Sequence, residues 1–403
     1  MELFRLEHKK LWRKGSTRIS VLLCFVYVVI FGNILSYQWF GFGSWKSEHI
    51  GAFSNNFDGY SVIRENQAYS KKYGALTEET LQQWVKDYQR LYAADKGNNL
   101  RYTDWSTVNT WIEVLYPELK EGDKYMLISN YVDPDKLTGV YERRQKAIED
   151  FLEISGQSGA EREYLLQINE KVQTPFKYEW ADGWAQLLGS MVAELGVVMA
   201  LFLAITLSPL FAGEWRSNMG SLVLTTRNGW KEIAFAKILT GLAFTVELFV
   251  MLFIGSIVSQ LFFMGTTGWD MPIQNIKLIA VAPMNMLQGE IYEYAFALLG
   301  AVGYAGIVML ISAAVKSNVL SLLLSLAVVY GPMMIDQYLP YSAQKALDLI
   351  PLVGSGTDIF RTNTFSVFGK FIWSPYLLIT VPVLIGCLCI PFTVKRWARK
   401  MKV

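Results

Sequence analysis

Acid–base chemistry needs titratable side chains gathered at one place, and this sequence offers few candidates. Its two histidines, His8 and His49, stand outside the long apolar runs. It contains no His-Glu-x-x-His pair, no Gly-x-Ser-x-Gly elbow and no cluster of residues at metal-ligand spacing. A Gly-x-x-x-x-Gly-Lys-Ser/Thr loop is also missing, so Ile154-Ser155-Gly156-Gln157 reads as a turn closing a helix. Asp133 and Asp135 do not follow calcium-loop spacing and read as helix cap and surface charge. Cys24, Cys387 and Cys389 all lie in apolar runs, where they act as small apolar residues rather than as disulfides or ligands. An enzyme is therefore disfavoured, and no metal or cofactor is expected on the chain itself.

Two carboxylates fall inside apolar runs. Glu194 lies about a third of the way along one run and Glu247 near the middle of the next. Placing such a charge at the centre of a membrane helix costs roughly 2.5–3.5 kcal/mol, so each needs a partner or a wet cavity. Two readings are open: acids lining a translocation path that receives a cationic or polar group, or acids that fix helix packing.

The elements that would position them are membrane spans. Of the 403 residues 52% are hydrophobic and 14% aromatic, mean hydropathy is +0.25, and several apolar runs reach the roughly 20 residues that cross a bilayer. A net charge of +2 gives no reason to expect nucleic acid. Residues 1–18 form a basic amphipathic helix suited to an anionic leaflet, with Leu3, Leu6 and Leu11 beside Arg5, Lys9, Lys10, Arg13 and Lys14. No small-x-small cleavage site follows, so 19–40 is a first span rather than a signal peptide. Residues 41–180 are polar and large enough to fold as a domain of their own. Helix spacing there joins Leu81, Trp84, Val85, Tyr88, Leu91 and Tyr92, and Asp133-Pro134 opens a second helix running through Val140 and Leu152. Further helices follow Asp104 and cover 161–172.

Five more spans are expected at 185–211, 233–264, 291–315, 319–337 and 371–392. Residues 276–287 form a short interfacial or re-entrant piece. The fold class is thus an all-α polytopic membrane protein with six transmembrane helices and a mainly helical outer domain. Basic residues collect at both termini, in the loop between spans two and three and at Lys316, which makes that side cytoplasmic and residues 41–180 extracellular. Trp39, Trp180, Trp184, Trp215, Trp373 and Trp397 sit near span ends, as an interfacial belt or as packing residues.

The stretch Pro209–Lys237 joins spans two and three. Its small apolar set, Met219, Leu222, Val223 and Leu224, is flanked by Glu214, Arg216, Arg227, Lys231 and Glu232, as in a short surface helix. The order Pro, Phe-Ala-x-Glu, Gly, Leu-x-Leu-Thr-Thr, Trp-x-x-Ile, Lys resembles the corresponding loop of ABC-2 type (ABCG-like) transporter permeases, matched at Glu214, Gly220, Leu222, Leu224, Thr225, Thr226, Trp230, Ile233 and Lys237. The amphipathic start and a segment at 340–370, placed where that family has outer re-entrant helices, extend the resemblance. The outer domain lies beyond it.

The resemblance implies a transmembrane permease subunit of the plasma membrane, bacterial in character. A separate ABC ATPase subunit, carrying ATP and magnesium, would dock on loop 212–232. Glu214, Trp215, Arg216, Gly220, Leu222, Leu224, Arg227, Trp230 and Lys231 would then couple ATP hydrolysis to export, and two permeases would pair as a homodimer or heterodimer. Members of this family move antimicrobial peptides, drugs, lipids and ions, and a peptide or drug is the expected cargo. The alternatives are a membrane-anchored sensor or scaffold with a ligand-binding outer domain, and a cation exporter of the same architecture.

Overall fold

The computed structural model describes residues 2–28, 74–95, 105–120, 128–157, 159–179, 181–216, 229–354, 360 and 363–401. Two helices start the chain, α1 (Glu2–Arg13) and α2 (Gly15–Val26). A polar layer follows, with β1 (Gly74–Leu76), α3 (Glu78–Asp95), α4 (Trp105–Leu115), α5 (Val140–Ile154), α6 (Ala160–Asn169) and β2 (Phe176–Tyr178). The bundle then comprises α7 (Val192–Leu207), α8 (Pro209–Arg216), α9 (Gly229–Phe249), α10 (Gly255–Met264), α11 (Met286–Ala314), α12 (Asn318–Ile335), α13 (Tyr341–Leu347) and, after hairpin strands β3 (Thr364–Val367) and β4 (Lys370–Trp373), α14 (Ser374–Met401).

Among the described residues five helical stretches are long and apolar enough to cross a membrane: Val192–Glu214, Trp230–Phe262, Met286–Ala314, Asn318–Tyr338 and Ser374–Arg399. Of the expected first span only the beginning, α2 and the two residues after it, lies within the described residues. The chain is therefore mostly helical and built as a multi-pass membrane protein. Several span limits move. The fourth starts at Met286 rather than 291, because Asn285 and Gln288 make a reciprocal capping box. The last starts at Ser374, because 371–373 belong to a β-strand.

The polar layer is helical as expected, with corrections. Asp133 caps only a single turn, Pro134–Lys136, and α5 starts at Val140 after Gly139 adopts a left-handed conformation (φ 69°). The ends of the layer are tied by an antiparallel ribbon pairing Gly74 with Tyr178 and Leu76 with Phe176. Its core is shared: Trp84, Trp111, Ile148 and Phe176 pack in one cluster with Ile273 and Val281 from the loop after α10 and with Leu187, Met286 and Phe296 of the bundle.

That loop contains residues 276–287, expected as a short interfacial or re-entrant piece. It is irregular, and its carbonyls are satisfied from the polar layer. Buried Arg144 donates to Leu278 O at 2.8 Å and Ala280 O at 2.9 Å, and Trp111 Nε1 donates to Asn275 O at 3.2 Å. Irregular backbone can be buried only where its polar groups find such partners. Residues 349–354 turn back in a similar way, and Leu352 and Val353 join the bundle core beside Ala297 and Ala301.

Helices α11 and α14 form the closest pair of the bundle. A Cβ added at Gly303 would sit 2.3 Å from Pro382 O, and one at Gly386 2.9 Å from the Gly303 Cα. Backbones this close gain dispersion contacts that larger side chains would forbid, which in a lipid setting is a main source of helix association. Gly303→Ala should therefore cost about 1–3 kcal/mol through overpacking. A lowered apparent unfolding temperature in detergent would show this, whereas Gly331→Ala, where the added Cβ meets nothing within 4 Å, should leave it unchanged.

Candidate functional site

The end of the bundle that carries both described termini and loop 212–232 is rich in lysine and arginine, and its charges converge on one buried amine. Lys237, on α9, is 1% exposed. Its Nζ lies 2.9 Å from Glu214 Oε1 on α8 and 2.7 Å from Glu7 Oε2 on α1. Glu214, itself 8% exposed, also receives Lys10 Nζ at 2.5 Å. Glu7 and Lys10 are three apart on α1 and so share a face. The cluster therefore joins three elements: the end of the second span, the start of the third and the N-terminal helix. Burial alone would lower the Lys10 pKa, but the Glu214 hydrogen bond and the charges of Glu7 and Glu214 outweigh it and raise the value above that of an ordinary lysine.

Helix α1 runs on along α9. His8 Nε2 lies 2.9 Å from Glu247 Oε1, and Trp12 Nε1 donates to Glu247 Oε2 at 3.0 Å. Leu11 is buried, and the Trp12 ring meets Phe244 edge-on. The partner of α1 is thus a protein helix: its Glu7, His8, Lys10 and Trp12 face the bundle, while Leu3 and Leu6 are exposed. For Glu247 the structure supplies hydrogen-bond donors from the N-terminal helix.

Glu194 has an exposed side chain on α7 and a hydrogen bond from Tyr27. Glu214 and Glu247 both meet side chains of α1, while Glu194 meets Tyr27 just after α2. Helix α8 includes Trp215 and Arg216 in its backbone. Gly220, Leu222, Leu224 and Arg227 lie outside the described residues. Trp230 and Lys231 open α9, with the Lys231 amine 5.2 Å from the Trp230 ring centroid. Beside Trp230 is an apolar groove of about 460 Å³, walled by Phe235, Ile390 and Val394 and edged by Lys395 and Arg399.

The elbow that presents Glu214 is held from α11. Pro209 interrupts the second span, leaving N–H groups at the start of α8 without helical acceptors. Ser312 Oγ accepts from Phe211 N at 3.0 Å and Ala212 N at 3.1 Å, and donates to Ser208 O at 2.6 Å. Trp397 packs edge-on to Phe211, fully buried. Trp184 and Trp373 are buried as well, so these three tryptophans serve packing rather than an interfacial belt.

Sequence reasoning missed two acids. Glu290 is 1% exposed and Glu293 6% exposed, both on the first turns of α11. Among the described residues neither carboxyl oxygen of Glu290 has a hydrogen-bond partner; the hydroxyl of Tyr294, one turn on, meets Ser256 Oγ at 3.3 Å. The missed signal was Asn285-x-x-Gln288, which moves the helix start ahead of both acids.

Among the described residues no group of three or more His, Cys, Asp or Glu could hold a metal ion. The fold and this cluster define a helical multi-pass membrane protein with an interlocked basic end. Comparison with family models, curated proteins and solved structures finds no match.

Removing one partner of a buried ion pair leaves the other charge uncompensated and typically costs 3–5 kcal/mol, whereas an exposed pair contributes about 0–1 kcal/mol. Lys237→Gln should accordingly destabilise the protein far more than Lys10→Gln, because the Lys10 side chain is 47% exposed. Thermal unfolding of the two variants in detergent, with Glu214→Gln to close a double-mutant cycle, measures the difference.

Proposed function

We propose that the chain is the transmembrane permease subunit of an ABC-2 type exporter. In this reading both termini and loop 212–232 face the cytoplasm, and residues 41–180 lie outside. A separate ATPase subunit grips the loop, and two permeases pair around a path through which a peptide, drug or other small cargo leaves the cell. The observation that carries the reading is the buried Lys237 cluster. It ties both limbs of the loop to α1, so a push on the loop is delivered to three helices at once rather than lost in a slack elbow. The groove beside Trp230 adds an apolar surface with basic edges at the same end.

Glu214 is then a positioning residue for the loop, and Lys237 its anchor. Export by such a machine requires that nucleotide state bias two arrangements of the bundle, and a loop rigidly joined to α1 and α9 supplies the lever for that bias.

The test is purification of the tagged chain from its native membrane. An exporter brings down an ATPase chain with a phosphate-binding loop, in a fixed ratio. Leu222→Asp with Leu224→Asp should abolish that capture and ATP-driven transport while the chain still inserts, and Glu214→Lys should reduce transport at least tenfold with smaller loss of capture. A fully active chain that never meets a nucleotide-hydrolysing companion overturns the reading.

A further inference from the structure

On the other side of Glu214 from Lys237 lies a cleft of about 540 Å³, opening between α1, α2, the second-span elbow and α12. Lys10, Lys14, Ser16 and Ser208 stand on its polar wall, and Ile205, Val319 and Leu322 on its apolar one. Four features of this cleft point the same way.

The charges do not balance. Among the described residues the carboxylates that pair with Lys10 and Lys237 are Glu7 and Glu214, and Lys14 has no carboxylate within ion-pair distance. Burial, followed by the charges of Lys237 and Lys10, holds the Lys14 pKa below that of an ordinary lysine, as for a cation waiting on an anion. Two helices begin at the cleft: α2, whose N-terminus has no side-chain cap and so brings orphan N–H groups, and α12 at Asn318, which Ser317 caps; both bring a partial positive charge. Finally, Ser208 lines the wall and is 1% exposed, and among the described residues its buried hydroxyl has no hydrogen-bond partner, although such a group normally finds one.

We propose that this cleft binds the phosphate of an anionic phospholipid from the leaflet at the basic end of the bundle. Lys14 and the α2 N-terminus hold the phosphate, and one acyl chain lies along Ile205, Val319 and Leu322. The apolar wall selects a lipid over a free phosphate, and the unmatched positive charge selects an anionic headgroup over phosphatidylcholine, whose own choline answers its phosphate. The site is independent of what, if anything, the protein transports. Its lipid would also brace the elbow beside Glu214.

Native mass spectrometry and thermal unfolding of the delipidated full chain in detergent test the proposal, with phosphatidylglycerol, phosphatidylcholine and inorganic phosphate as probes. Phosphatidylglycerol should be retained in preference to phosphatidylcholine and should raise the unfolding temperature. Lys14→Gln should weaken that retention about five- to tenfold, the effect of one lysine at a membrane surface. Gly213→Leu provides a second variant that fills the cleft while leaving the lysines in place; a Cβ there meets its nearest neighbour at 3.8 Å, and the retention should fall likewise. Lys9→Gln, exposed on the far face of α1, should behave as the unaltered chain. Equal retention of the two lipids, a preference that survives both cleft variants, or equal stabilisation by inorganic phosphate would each overturn the assignment.

Discussion

An ammonium group shut away from water is unstable unless opposite charges surround it, and Lys237 meets that condition only when three separate helices come together. Its two carboxylates come from α1 and from the elbow after the second span. Neither helix could leave without stranding the charge. This single constraint sets where the N-terminal helix lies, how the loop enters and leaves the bundle, and which faces of α1 remain for other uses. The His8–Glu247–Trp12 contacts further along α9 then fix the direction of α1, because a second polar attachment removes its freedom to pivot.

The opposite end is held by a different device. There the backbone is irregular, and the loop is secured by Arg144 and Trp111, which donate to it from the polar layer, and by its own Gln274, which donates to Ala280 O and Ala282 O. The polar layer and the bundle consequently share a core, and motion in one is felt in the other. Between these ends, glycines on α11 and α14 let two backbones touch. Tight packing in the middle with polar locks at both ends suits a body that moves as a few stiff pieces, which is what an exporter driven through one loop would need.

Much of the architecture was readable beforehand. Runs such as 192–214 and 374–399 declare themselves by length and apolar composition, since no other structure buries the backbone of such a segment in lipid. The faces of α3 and α5 were equally plain from helical spacing: Trp84, Val85, Tyr88, Ile148 and Leu152 are all buried. Errors fell where local pattern underdetermines the result. For residues 276–287, the irregular backbone is held by hydrogen bonds from Arg144, which no local pattern announces. Residues 371–373 continue an apolar run but pair as a strand. Glu290 was passed over because span limits were drawn from hydropathy, which cannot see a capping box.

By composition, charge distribution and periodicity alone, this chain is a helical membrane protein with basic residues gathered at one end and a large polar segment, because those properties are summed over neighbours in the chain. Which charges meet is a property of the fold. Glu214, Glu7 and Lys237 are unremarkable in sequence, and Glu7 and Lys237 are 230 positions apart. Only packing α1 against α9 removes water from between them, and only that loss of water turns three ordinary surface residues into the joint that holds the basic end together.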